Sequence, residues 1–268
     1  MISHPTDPHA FIPKKSLGQH FLVGPGVRQK IIEACDLRPD DVVLEIGPGK
    51  GALTRPLSER VSKVFAVEKD DRLAARLKQE FAGTNVAILH ADILEYPFER
   101  LPCGVKIVGN LPYNIATPII EKVLAFRRKF TAFYMTVQWE YGSRMAAGPH
   151  SKEYGSLSCF VQYYADVKKL FKIPPAAFMP PPKVQSCFLR LDMKERPPLP
   201  AGSEEWLFKV IRTCFNQRRK MVQNSLSSLL PKKEIDVILQ GLHIDSRLRA
   251  EDISLEDYVR LADRARQG

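Results

Sequence analysis

Hydrophobic and polar positions follow two regimes along this chain. From Val42 to Val137, short apolar runs recur and are separated by stretches with apolar residues three or four positions apart. The runs VVLEI (42–46), KVFAVE (63–68), VAILHAD (86–92), VKIVGN (105–110) and TAFYMTV (131–137) predict five buried strands. Between them, a stretch through Val61 and the segment RLAARLKQEF (72–81) read as helices, and Thr117 and Pro118 read as N-cap and first-turn proline of a helix through Phe126. An earlier helix is expected from Val27 to Cys35, and residues 1–15 read as a loose tail. Strands alternating with helices over short connections predict a parallel sheet covered on its faces, an α/β fold.

The regime changes after Tyr164. VKKLFKI (167–173) and SCFLRLDM (186–193) predict an antiparallel pair at the sheet edge. The proline-rich ERPPLPAG (195–202) then reads as a linker, and only helices are expected beyond it. Ser203 with Glu204 and Glu205, and Ser254 with Asp257, mark two helix starts. These signals divide the chain into a domain over 1–196 and a small all-helical domain over 197–268.

Composition narrows the classes. A hydrophobic fraction of 44% and a charged fraction of 26% exclude a disordered or fibrous chain. No apolar run is long enough to span a bilayer and no signal-peptide core opens the sequence, so a cytoplasmic protein without membrane contact is expected. The 40 Lys and Arg against 30 Asp and Glu give a net charge of +10, which favours a polyanionic partner. The five cysteines are scattered, with no C-x-x-C pair, so buried reduced thiols are expected and no metal site.

The glycine turn IGPGKG (46–51) follows the first strand and precedes a helix, where Gly47, Gly49 and Gly51 let the backbone approach a ligand. Glu68 ends the next strand, where a carboxylate can accept hydrogen bonds from both hydroxyls of a ribose. A dinucleotide dehydrogenase and a methyltransferase using S-adenosylmethionine both fit this much. Glu45, just before the first glycine, suits the sulfonium and ammonium of the latter and would repel a pyrophosphate. Asp92 reads either as an acceptor for an adenine amino group or as an ordinary turn acid.

NLPYNI (110–115) follows the fourth strand at the edge where such folds bind ligands. The exocyclic amine of a nucleobase is a poor nucleophile, because its lone pair is delocalised into the ring. Two acceptors aimed at its hydrogens would draw the nitrogen toward tetrahedral geometry. The side-chain oxygen of Asn110 and the carbonyl of Leu111 can serve, with Pro112 fixing the turn and Tyr113 offering a face to an extruded base. A simple strand-ending turn is the plainer alternative.

The strings GQHFL (18–22, preceded by Leu17), EIGPGKGALT (45–54), VGNLPYNIATPI (108–119), AFMPPPKVQS (177–186) and FNQRRKMVQNSL (215–226) together resemble the bacterial small-subunit ribosomal RNA adenine N6,N6-dimethyltransferases over nearly the whole length. The resemblance implies a Rossmann-like class I methyltransferase domain with a helical C-terminal domain. It implies dimethylation, with S-adenosylmethionine, of two adjacent adenosines in the 3′-terminal hairpin loop of 16S rRNA within a 30S precursor, by a monomer. It carries the cofactor site onto His20, Leu22, Gly47, Glu68, Asp92 and Asn110, and it brings Phe178 into the active site, where spacing alone allows equally a loop anchor in the core. Members often have Asn where this chain has His20, and VQWEYGSRM (137–145) departs from the family's Q-K-E-V-x-x-R while keeping Glu140 and Arg144.

Two segments carry cations and no acids. Residues 206–233 hold Lys209, Arg212, Arg218, Arg219, Lys220, Lys232 and Lys233, and residues 167–191 hold Lys168, Lys169, Lys172, Lys183 and Arg190. Arg218, Arg219 and Lys220, interleaved with amides, suit phosphate and sugar contacts, and Lys183 and Arg144 join them as expected RNA contacts. Three other readings stay open: a large-subunit rRNA adenine methyltransferase of the macrolide-resistance kind, a non-catalytic assembly factor, and an NAD-dependent dehydrogenase.

Overall fold

The computed structural model describes residues 18–197 and 200–267, so the expected tail over 1–15 and Leu17 lie outside the described residues. Five parallel strands form the centre: β2 (Val42–Ile46), β3 (Lys63–Glu68), β4 (Val86–His90), β5 (Val105–Asn110) and β6 (Phe130–Gln138). Two more, β7 (Ala165–Ile173) and β9 (Ser186–Met193), complete a seven-stranded sheet in the order β4-β3-β2-β5-β6-β9-β7, with β9 antiparallel to both neighbours. The antiparallel strand inserted before the edge departs from the all-parallel dinucleotide-binding sheet. A separate two-stranded ribbon pairs β1 (Phe21–Leu22) with β8 (Phe178–Met179).

The strand interiors are apolar on both faces because helices cover both. Leu44, Ile107, Phe133 and Leu189 are fully buried on one side, and Val43, Val64, Val108 and Tyr134 on the other. Around the sheet lie α1 (Pro25–Ala34), α2 (Thr54–Ser58), α3 (Asp71–Glu80), α4 (Ala116–Ala125), α5 (Trp139–Ala146) and α6 (Ser156–Tyr164). Asp70 caps α3 by accepting the N–H groups of Arg72 and Leu73.

Several local expectations shift. The glycine-turn helix stops at Ser58 rather than Val61, and β4 ends at His90, so Asp92 sits two residues beyond it in a turn. Helix α4 begins at Ala116, with Ile115 at its N-cap position and no side-chain cap; the Thr117 hydroxyl instead meets that of Tyr141 at 2.9 Å. Four cysteines are buried as expected, whereas Cys103 is exposed.

Behind residue 197 come α7 (Glu204–Phe215), α8 (Val222–Leu226), α9 (Lys232–Gly241) and α10 (Leu255–Gln267). The Ser203 hydroxyl accepts the Trp206 N–H and starts α7. Ser254 accepts the Asp257 N–H while donating to its carboxylate, which is half of the expected reciprocal box. These helices do not stand apart: Leu207, Phe208, Ile211 and Tyr258 belong to the same apolar cluster as Leu44, Ile107 and Tyr163. Among the described residues no helix is long and apolar enough to cross a membrane.

Candidate active site

The order in which strands are added to the sheet reverses between the parallel neighbours β2 and β5: β3 and β4 lie to one side, β6 to the other. In such sheets the strand ends part at this point and leave a crevice. A cleft opens there. The glycine turn, Glu68, Asp92 and the Asn110–Tyr113 segment all line it, together with Gly18, Gln19, His20 and Phe21 from the chain's N-terminal side.

The glycine turn is shaped by backbone angles that side-chain-bearing residues avoid. Gly47 has φ of +67°, and a Cβ on it would meet no protein atom within 4 Å, only the open cleft. Gly49 is left-handed too, and a Cβ there would come within 3.0 Å of the Phe21 ring. Gly51 lies against Leu77 of α3 and is not on the main cleft; it lets the turn pack closely on that helix.

Glu45 is 2% exposed, and its Oε2 has no hydrogen-bond partner. Burial pushes its carboxyl up to about 8; Thr54 gives partial relief, and the neighbouring Glu68 charge adds to the rise. With Leu22, it borders a smaller cavity on the far side of the glycine turn, which shares Phe21, Gly47, Gly49 and Asn110 with the main cleft. Leu22 does not reach the main cleft; its side chain is buried and its backbone pairs with Phe178.

Glu68 accepts the Gly49 N–H at 3.0 Å on Oε2 and the Asp70 N–H at 2.8 Å on Oε1. Burial raises its pKa while these backbone donors lower it, and burial prevails. Each oxygen keeps a second lone pair for a ligand hydroxyl. Burial also works against the charge on Asp92, but Lys69 at 2.6 Å, the Leu94 N–H and Lys122 outweigh it and hold the carboxyl below its ordinary range. Lys122 fastens the Asp92 turn by donating to the carbonyls of Ile93, Leu94 and Tyr96. Neither lysine stands out in the sequence, because Lys69 lies in the connection after β3 and Lys122 at an ordinary polar position of α4.

Asn110 ends β5. Its Nδ2 donates to the backbone carbonyl of His20 at 2.7 Å. That bond commits the amide's donor end to the protein and leaves Oδ1 as the acceptor at the cleft. Tyr113 is anchored through its hydroxyl to the Ser186 Oγ at 2.5 Å. The imidazole of His20 lies against the Tyr113 ring, 5.7 Å between centroids at 25°, and its Nδ1 meets the Pro180 carbonyl at 2.7 Å. A carbonyl only accepts, so Nδ1 carries the proton.

Phe178 is elsewhere. It is 2% exposed, packs with Leu22, Ile31, Tyr134 and Phe188, and does not line the cleft. The structure therefore corrects its assignment to the cleft wall: the ribbon strand β8 turns the ring inward, leaving Met179 exposed. Arg144 and Lys183 are exposed, as are Arg218, Arg219 and Lys220 in the turn after α7, where Arg218 also pairs with Glu251 at 3.5 Å. Arg218, Arg219 and Lys220 are not part of the cleft lining.

A glycine turn at a sheet's switch point, a ribose-type acid on the next strand and an acceptor amide on the fourth, under an antiparallel seventh strand, define a Rossmann-like methyltransferase. The family described as "Ribosomal RNA adenine dimethylase" matches residues 11–267, and the chain belongs to it. Among its relatives, "Ribosomal RNA small subunit methyltransferase A" of Moorella thermoacetica is 40% identical over 264 residues, covering 94% of this chain and 92% of that one. The protein of the same description from Dechloromonas aromatica is 39% identical over 252 residues, covering 94% and 97%. Of solved structures, a dimethyladenosine transferase from Plasmodium falciparum superimposes with a TM-score of 0.78 at 27% identity, covering 90% of this chain and 96% of that one. The 23S rRNA methyltransferase ErmE gives 0.73 at 28% identity, covering 92% and 100%.

Proposed function

We propose that this protein transfers methyl groups from S-adenosylmethionine to the N6 amines of two adjacent adenosines in the 3′-terminal hairpin loop of 16S rRNA, two to each, acting as a monomer on a 30S precursor in the cytoplasm. The observation that carries the reading is the Asn110 amide, whose nitrogen is held by the His20 carbonyl so that only its oxygen is free to accept.

The residues present fit the cofactor. The unpartnered Glu45 Oε2 suits a cation, Glu68 retains acceptor capacity for ribose hydroxyls, and the space beyond Gly47 is free of protein. Asp92, fixed by Lys69 and Lys122, would receive the adenine amine. When bound, S-adenosylmethionine supplies a methyl group made electrophilic by its sulfonium. The chain's own contribution is to position the acceptor. Asn110 Oδ1 and the Leu111 carbonyl accept from the two N6 hydrogens, concentrating the lone pair on nitrogen. Tyr113, held by Ser186, offers an aromatic face to the extruded base, on the side opposite His20 or in place of that imidazole. Arg144, Lys183, Arg218, Arg219 and Lys220 would bear on the RNA backbone.

Mass mapping of rRNA after incubation with labelled cofactor tests this. Undermethylated 30S precursors should gain two dimethylated neighbours in the 3′-terminal hairpin, and naked 23S rRNA none. Asn110→Ala should lower methyl transfer by about 100-fold or more while calorimetric binding of the cofactor persists. Labelling of 23S rRNA alone, or normal turnover by Asn110→Ala, would overturn the reading.

A further inference from the structure

Edge strand β7 carries an irregularity that regroups its lysines. Lys169 pairs with Leu189 and Phe171 with Phe188, leaving Leu170 as an extra residue. In a regular strand Lys169 and Lys172 would point to opposite faces, because they are three positions apart. The bulge restores them to one face, since their partners, Leu189 and Cys187, are two residues apart. There they converge on Trp139, the first residue of α5, with Lys172 Nζ 4.2 Å and Lys169 Nζ 4.9 Å from its ring centroid.

The charge on this face is uncompensated. Lys168, on the opposite side of the strand, pairs with Asp192 at 3.0 Å, whereas among the described residues neither Lys169 nor Lys172 has a carboxylate within ion-pair distance. Holding two ammonium groups on one indole costs mutual repulsion that the ring only partly offsets. The group also lies next to the proposed target site. The Trp139 N–H donates to the Gln185 carbonyl, and the following residue, Ser186, anchors Tyr113.

We propose that Trp139, Lys169 and Lys172 form a docking point for the RNA phosphodiester backbone beside the nucleoside that enters the cleft. The inference rests on the function proposed above and assigns it a contact surface separate from the Arg218–Lys220 turn. The indole sets the spacing of the two cations, and the phosphates supply the missing anions.

The salt dependence of binding to undermethylated 30S precursor reads this directly. Two single-strand phosphate contacts contribute about 1.4 to the slope of log affinity against log salt. The double variant Lys169→Gln/Lys172→Gln should therefore lose about sevenfold of the wild type's affinity change between 50 and 200 mM salt. Trp139→Leu, which keeps both charges but frees them, should weaken binding at fixed salt with the slope retained. Lys168→Gln, whose charge is already paired, should leave the slope unchanged, and cofactor affinity should be the same in all three. A slope in the double variant equal to wild type, with the wild-type protein methylating 16S rRNA, overturns this inference alone. Failure of the wild type to methylate 16S rRNA overturns the function on which it rests.

Discussion

Glu45 holds a buried carboxyl whose Oε2 has no hydrogen-bond partner inside the folded protein. Its pKa is about 8 in the fold against 4.5 ordinarily, with burial as the main cause. Below the lower value both folded and unfolded chains are protonated there, and no difference arises. Between the two values the unfolded chain sheds a proton that the folded chain keeps, so stability falls as pH rises, by up to about 1.4 kcal/mol per unit. Glu45→Gln removes this slope. Urea melts at pH 5, 6.5 and 8 should show the variant gaining on the wild type with each step; parallel curves would show that Glu45 is already ionised in the folded protein. A cationic ligand beside Oε2 has the reverse effect, drawing off the proton. Cofactor binding should release protons in calorimetry across paired buffers and tighten between pH 5.5 and 7.5, and both effects should vanish in Glu45→Gln.

Among the elements, the ribbon of β1 and β8 links the N-terminal segment to the Asn110 amide. The His20 carbonyl that holds Asn110 belongs to the residue just before β1, and its imidazole is tied to Pro180 just after β8. Gly18 permits the approach: its φ is +60°, and a Cβ would stand 2.8 Å from Asn114 Oδ1. Gly18→Ala should displace this segment and turn the amide, lowering single-turnover methyl transfer by about 10- to 100-fold at saturating cofactor; unchanged turnover would show that Asn110 needs no such support. This coupling marks the limit of what the residues disclose in order. The strands from Val42 to Gln138 were readable because their apolar runs serve a sheet buried on both faces, and the glycines and Asn110 because they sit at strand ends. The His20–Asn110 bond spans 90 positions and depends on a main-chain oxygen, which no side-chain pattern encodes. Phe178 misled for a related reason: a ribbon of two residues decides which of Phe178 and Met179 faces inward, and it is too short to leave a periodic signal. Helix α5 escapes because Gly142 interrupts its pattern, although that glycine is needed where a Cβ would collide with the Cys187 sulfur.

For the molecule as a whole, the proline-rich segment near residue 197 separates two regions of sequence, but the packing across it has the character of an interior. Phe208 of α7 meets Phe160, Tyr163 and Tyr164 of α6 with ring centroids 5.2 to 5.9 Å apart, and Phe215 meets Tyr154 at 5.6 Å. Polar contacts follow the same seam: the Tyr164 hydroxyl donates to Glu204 at 2.6 Å, and the Ala201 N–H donates to the Tyr163 hydroxyl at 2.9 Å. A fragment ending at residue 196 would expose these aromatics, at roughly 1.5–3 kcal/mol for each large side chain returned to water, and would leave polar groups unmatched. Four such rings approach the whole stability of an ordinary domain. The full chain should therefore unfold in one calorimetric transition, and the 1–196 fragment should be insoluble or lack cooperative melting. Two transitions, with a soluble fragment that binds S-adenosylmethionine, would instead make the helical region an independent domain. The single-unit outcome carries a functional corollary. The Arg218–Lys220 turn would then be held rigidly relative to Asn110, so one rRNA surface could engage both only in a fixed orientation, and target choice would rest on the geometry of the folded RNA as well as on the sequence around the methylated base.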